Sequence, residues 1–261
     1  MRRLLEGLAI YLGVLLFVVT CLCWSVIALP AYYVLPRRSG AAFGRRGIMS
    51  GYRVFAWGIQ ALGVYRVDLR AIRELRHERA LILAPNHPQI IDAIFILSEH
   101  PNVICVMKAQ LMNNILFGPG SKLARFISND APRRIILQAV ESLREGGMLL
   151  LFPEGTRTVQ NPVNPFQHTV GAVSKHAQVP VQTLLIETDS PYMSKGWSPL
   201  KWAPLPVTYR VRLGRRFEPP DNVRAFTEEL EQYFRSELQQ SLQSGWLARR
   251  AASAGKLRID S

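Results

Sequence analysis

A chain of 261 residues has room for one large domain and a membrane segment, and its 48% hydrophobic residues exclude disorder as the starting expectation. Its 32 Lys and Arg outnumber 19 Asp and Glu, a net charge of +13 that calls for an anionic partner: a phospholipid surface, a phosphorylated substrate, an acidic carrier protein or nucleic acid. The three cysteines, Cys21, Cys23 and Cys105, show no paired spacing, so neither a disulfide framework nor a zinc site is indicated and a reducing compartment is expected.

Residues 7–36 carry no charged side chain, a run long enough to cross a hydrocarbon core of about 30 Å. Trp24, Tyr32 and Tyr33 lie toward its far end, where amphipathic aromatics prefer the interface. Arg2 and Arg3 precede the run, whereas Arg37, Arg38, Arg45, Arg46 and Arg53 follow it, a bias that places the body of the chain on the cytoplasmic face of the inner membrane. A cleaved signal peptide fits less well, because the uncharged run is about twice an ordinary signal core. A segment that spans the bilayer and one that dips into a single leaflet as a hairpin broken at Pro30 both remain open.

Past Pro36 the composition turns basic and Gly-containing, which reads as a linker. Ile48, Tyr52, Phe55, Ile59 and Leu62 then recur at helical spacing over 46–62. Such a stripe is either the core face of a helix or the apolar face of one lying on lipid. The expected organisation is a membrane segment over 1–36, a basic linker with an amphipathic interfacial helix over 37–63, a catalytic domain over 64–244 and a flexible tail over 245–261.

From residue 64 the pattern alternates between strands and helices. Strands are expected over 64–69, 80–84, 103–107, 148–152, 179–186 and 207–213, the shorter apolar runs reading as fully buried. Helices are expected over 134–145, closed by Gly146-Gly147, and over 223–243. This alternation predicts an α/β fold with a mixed, mostly parallel sheet covered by helices.

Three candidate sites fall just past strand ends, where substrates of such sheets bind. The first is His87 with Asp92, in Asn86-His87-Pro88-Gln89-Ile90-Ile91-Asp92: an imidazole with an orienting carboxylate can take a proton from a hydroxyl. The second is Lys108. The third is Phe152-Pro153-Glu154-Gly155-Thr156-Arg157, whose Arg can grip an anionic substrate. Each has a plainer reading: His87 as a core histidine, Glu154 with Arg157 as a structural ion pair, Lys108 as solvated surface. His77, His100, His168 and His176 have no partner spacing. Arg210, Arg212, Arg215 and Arg216 read as a solvated face or as a dock for anionic lipid or an acidic carrier protein. No G-x-S-x-G, H-E-x-x-H or P-loop occurs, and no aromatic-basic motif points to nucleic acid.

The His87–Asp92 and Phe152–Arg157 stretches resemble the first and third motifs of the glycerolipid acyltransferases, in particular those of the bacterial 1-acylglycerol-3-phosphate acyltransferases. Lys108, Leu111 and Gly118 fall at the spacing of the second motif, and Val179-Pro180-Val181 is similar to the fourth. The resemblance implies a membrane enzyme with no bound cofactor. It would move a fatty acyl group from acyl-CoA or acyl carrier protein to the hydroxyl of a lysophospholipid, 1-acyl-sn-glycerol-3-phosphate above all. It further implies His87 as base, Asp92 as its orienting acid, and Lys108, Glu154, Gly155, Thr156 and Arg157 as substrate-binding positions, with Arg157 and Lys108 on the phosphate. One departure concerns the acceptor. Where many members carry an Arg in the second motif, this chain has Phe126-Ile127-Ser128-Asn129-Asp130, with Arg133 and Arg134 only afterwards. Acyl length, donor form, another lysolipid as acceptor and the oligomeric state stay open.

Overall fold

The computed structural model of the chain describes residues 2–198 and 203–244; the expected tail 245–261 lies outside them. Two long helices come first. α1 (Arg2–Val34) runs through Pro30 without ending, and the break falls at Pro36, whose extended backbone precedes α2 (Arg37–Ala61). The stretch after Pro36 is therefore helical rather than a linker. Its Gly and Ala form a contact face: Gly40, Ala41 and Gly44 are buried, and a side chain on Gly44 would strike the backbone of Ala124. Small residues here let two helices approach closely.

The stripe left divided between core and lipid is core. Ile48, Phe55 and Ile59 are buried, each contributing about 1.5–3 kcal/mol by leaving water. Against them lies one face of α1, where Gly13, Cys21, Ser25 and Ala28 are buried and the Phe17 ring sits 4.9 Å from that of Phe55. The opposite face of α1 is apolar and uncovered, with Val26 73% and Tyr33 78% exposed. On α2, Val54 and Trp57 are likewise exposed. By length and composition α1 alone among the described helices could cross a membrane.

The chain then builds a seven-stranded sheet in the order β1-β7-β6-β2-β5-β3-β4. Its elements are β1 (Tyr65–Asp68), α3 (Arg70–Glu74), β2 (Leu81–Pro85), α4 (Asp92–Leu97), β3 (Val103–Met107), α5 (Ala109–Met112), α6 (Gly118–Ala124), β4 (Ile127–Ser128), α7 (Pro132–Arg144), β5 (Met148–Leu150), α8 (Thr169–Ala177), β6 (Val181–Thr188), β7 (Val207–Phe217) and α9 (Val223–Ser244). The five strands from β6 to β4 run parallel, as expected for buried apolar strands joined by helices. β7 runs antiparallel to β6 and carries β1 parallel to itself. The fold class expected from the alternation is the one observed.

β2, the middle strand of the seven, is buried along its whole length. α7, α8 and α9 pack on one another, and α4 packs on α2. This division between the two faces follows from right-handed crossovers that first move outward from β2 to β3 and then back to β5. α9 buries Phe226, Leu230, Phe234 and Leu238 at steps of four. The three cysteines are free.

Candidate active site

The parallel strands all deliver their C-terminal ends to one edge. His87 follows β2, Glu154 follows the adjacent β5, and Thr188 closes β6 on the other side. Lys108 follows β3, two strands from β2 and so about 10 Å away along the sheet.

His87 Nδ1 lies 2.8 Å from Asp92 Oδ2. A carboxylate there takes the Nδ1 hydrogen and leaves Nε2 as the basic edge. Asp92 opens α4 and is fully buried. Burial pushes its carboxyl above the ordinary range, opposed first by His87 and then by the Gln89 N–H and the Tyr209 hydroxyl. The Gln89 N–H reaches Oδ2 at 2.8 Å and the Tyr209 hydroxyl reaches Oδ1 at 3.0 Å. Both carboxylate oxygens are thus held, which fixes the plane in which the imidazole must lie.

A second layer holds the first. The Gln89 side chain accepts from the Tyr65 hydroxyl at 3.1 Å and donates to Thr188 Oγ1 and the Ser190 carbonyl, both at 3.1 Å. Asn86 pairs with the backbone of Ile186 in both directions, at 2.7 and 3.0 Å, and so pins the start of the His87 turn to β6. The imidazole stacks on Phe152 with centroids 3.9 Å apart and planes inclined by 23°. Phe152 leaves the strand to make this stack, so β5 ends two residues before the apolar run does.

Glu154 occupies a different place from that of a ligand-facing carboxylate. It is buried and accepts from the His87 backbone N–H at 2.9 Å, the Thr158 hydroxyl at 2.6 Å and the Asn164 N–H at 2.9 Å. The side chain is a tie between the two motif turns, reinforced by the Thr158 N–H on the His87 carbonyl at 2.7 Å. The ion pair between Glu154 and Arg157 weighed from sequence does not form. Arg157 instead donates from Nη1 to the carbonyls of Met193 and Ser194, at 3.2 and 3.1 Å. That bond engages one corner of the guanidinium and fastens the loop after β6 across the site.

Gly155 has φ +65°, and a side chain there would run into Gln167, so only glycine suits the position. The Thr156 hydroxyl accepts from Lys195 at 3.5 Å. Lys108 is exposed, and among the described residues its ammonium has no polar partner. Arg134 is engaged with Asp130 at 2.8 Å, one turn apart on the chain. Gln89 and Phe152 carry no role of their own in the sequence motifs that contain them, and Tyr65, Tyr209 and Lys195 lie outside those motifs. Gln89 stands inside the His87–Asp92 interval and could have been noticed, but Tyr209 reaches the site only through the fold. Among the described residues, no group of three or more His, Cys, Asp or Glu could hold a metal.

Residues 66–187 match the family model described as Acyltransferase. A curated 1-acyl-sn-glycerol-3-phosphate acyltransferase of Pseudomonas aeruginosa is 23% identical over 206 residues, 77% of each chain. The crystal structure of the 1-acyl-sn-glycerophosphate (LPA) acyltransferase of Thermotoga maritima has the same fold, with a TM-score of 0.69 at 19% identity over 94% of this chain and 98% of that one.

Proposed function

We propose that the chain is a glycerolipid acyltransferase, which moves a fatty acyl group from acyl-CoA or acyl carrier protein to the free hydroxyl of 1-acyl-sn-glycerol-3-phosphate, giving phosphatidate; the family match and the curated relative support this reading. The observation that carries the chemistry is His87 held through Nδ1 by an Asp92 whose two oxygens are both bound. His87 Nε2 takes the proton from the acceptor hydroxyl as that oxygen attacks the thioester carbonyl carbon. Collapse of the tetrahedral species expels the thiolate, which takes the proton back from Nε2. Asp92 stabilises the imidazolium between these two transfers. The hydroxyl is itself the nucleophile, so no covalent enzyme intermediate is required.

In this reading the acceptor phosphate is held by the edge of Arg157 not used on the loop, with Lys108 as a point charge and Lys195 nearby. Glu154, Gly155 and Thr156 shape the turn that presents Arg157. A second acceptor reading rests on Ser128-Asn129-Asp130, which brings no Arg to the end of β4. Under it the preferred acceptor is another lysolipid. Release of labelled acyl chains from a thioester donor, measured with a panel of lysolipids, separates the two. Phosphatidate as the main product supports the first, preference for a different head group supports the second, and no transfer to any lysolipid overturns both.

The uncovered apolar face of α1 supports membrane association, with the catalytic domain in the cytoplasm where acyl thioesters are made. α2 packs along α1 and carries Arg45, Arg46 and Arg53, so drawing α1 upright through a bilayer would drag those charges with it. The arrangement therefore favours α1 immersed on one face in a single leaflet.

A further inference from the structure

A cleft of about 720 Å³ opens beside the β3–β4 edge of the sheet, between α2, α6 and α7, and none of the residues of the His87 and Asp92 turn lines it. Its wall is basic: Arg37, Arg38, Arg45, Lys122 and Arg125 face Glu141 and Glu145. Arg37 is only loosely engaged, 3.9 Å from Glu141. Arg45 is the unusual member. Its Nε is buried with no hydrogen-bond partner, and burial pulls its guanidinium below the usual arginine range, against the pull of Glu145. An unpaired buried donor on a cation costs free energy that an anion with several oxygens would recover. Arg45 also reaches a neighbouring cleft of about 360 Å³, where Arg46, Arg76 and Arg79 add further positive charge.

One end of the larger cleft is Tyr32, on the last turns of α1, beside the uncovered apolar residues Val26, Ile27, Leu29 and Tyr33. A polar basic recess opening onto an apolar helix face fits an amphiphile rather than a small soluble anion. We propose that this cleft is a second, non-catalytic site for an anionic phospholipid, with the phosphate held by Arg45, Arg38 and Arg125 and the acyl chains lying along the end of α1. The proposal adds to the membrane reading above a defined phosphate pocket, and it does not depend on the identity of the acceptor.

Flotation of the full-length protein with phosphatidylcholine vesicles, with and without phosphatidylglycerol, tests it. The wild type should partition more strongly when phosphatidylglycerol is present. That increment should fall about fivefold in Arg45→Gln and about thirtyfold in the double variant Arg38→Gln/Arg125→Gln, because each cation at an anionic surface contributes on the order of 1 kcal/mol. A double variant Arg66→Gln/Arg144→Gln removes equal charge from exposed positions outside the cleft and should keep most of the increment. Thermal melting identifies any variant that has lost its fold, and the Arg38/Arg125 pair, being on the surface, keeps the test open if Arg45→Gln is unstable. Equal loss in the control double variant would reduce the effect to net charge and overturn the site. Abolition of the increment by millimolar pyrophosphate at constant ionic strength would assign the cleft to a soluble phosphate instead. Persistence of neutral-vesicle binding in all variants separates failure here from failure of the apolar anchor.

Discussion

Tyr209 donates its hydroxyl hydrogen to Asp92 Oδ1 at 3.0 Å, tying the carboxylate that orients His87 to a strand 117 positions further along the chain. Both groups are fully buried, and burial drives the Tyr209 hydroxyl far above the ordinary tyrosine range, so it serves as a donor throughout. Tyr209→Phe removes one of the donors that counter the upward push on the Asp92 carboxyl. Asp92 should then take up a proton at higher pH, and the acidic limb of kcat/KM should move up by about one pH unit, the equivalent of one hydrogen bond to a charge. A pH–rate profile that keeps its acidic limb in place would show that Tyr209 only fills space.

His87→Ala should lower acyl transfer by about 10²–10⁴-fold with the melting temperature little changed, since the ring is at the edge of the site rather than in the core. Asp92→Asn should cost a comparable amount or less, by allowing the wrong tautomer. Near wild-type turnover in a folded His87→Ala protein would remove the imidazole from the mechanism.

Glu154→Gln is expected to act on architecture. The carboxylate takes three donors, from His87, Thr158 and Asn164, and an amide can serve fewer of them. A loss of about 1–3 kcal/mol in unfolding free energy should accompany a fall in kcat for every donor and acceptor alike. A selective rise in KM for the acceptor, with stability unchanged, would return Glu154 to the substrate pocket.

Arg157→Lys should raise KM for the acceptor well above that for the donor, because a point charge replaces a planar fork. The same change loosens the carbonyls of Met193 and Ser194, so a small loss of stability is expected with it. Kinetics with each substrate varied in turn resolve the two effects. Equal changes in both KM values would leave Arg157 as a loop fastener alone.

Deleting residues 1–36 is a poor test of membrane anchoring, because α1 covers Phe55 and the rest of the α2 core face. Val26→Ser/Ile27→Ser/Leu29→Ser leaves that cover in place and lowers only the uncovered apolar area. Retention on neutral vesicles should fall while the melting temperature holds. Unchanged retention would place the anchor elsewhere.

The parts of this fold that were legible in the sequence are those with a long period or a dense apolar run: α7, α9, the buried strands and the 7–36 segment. α4, α5 and α6 were not, having four to seven residues each, too few for a helical period to declare itself. The basic Gly and Ala stretch after Pro36 misled for a different reason. Composition cannot distinguish a loop that needs freedom from a helix face that needs closeness, and Gly44 against Ala124 is the latter. At the site, His87 and Asp92 were visible because their turn is local. Glu154 was visible as a motif position but not as a tie, since the partner that makes it one, the His87 N–H, is 67 positions away in the chain. Tyr209 belongs to pairing between β6 and β7 and leaves no local mark.

The late place of β7 in the chain also orders events in time. Synthesis runs from the N-terminus, so α1 leaves the ribosome long before Tyr209 does. The matched acyltransferase region, 66–187, would be complete while Asp92 still lacked its last donor and β6 its antiparallel neighbour. A nascent chain thus presents its apolar helix early and the fully held Asp92 carboxylate late, so the proposed contact with lipid would come before the proposed chemistry.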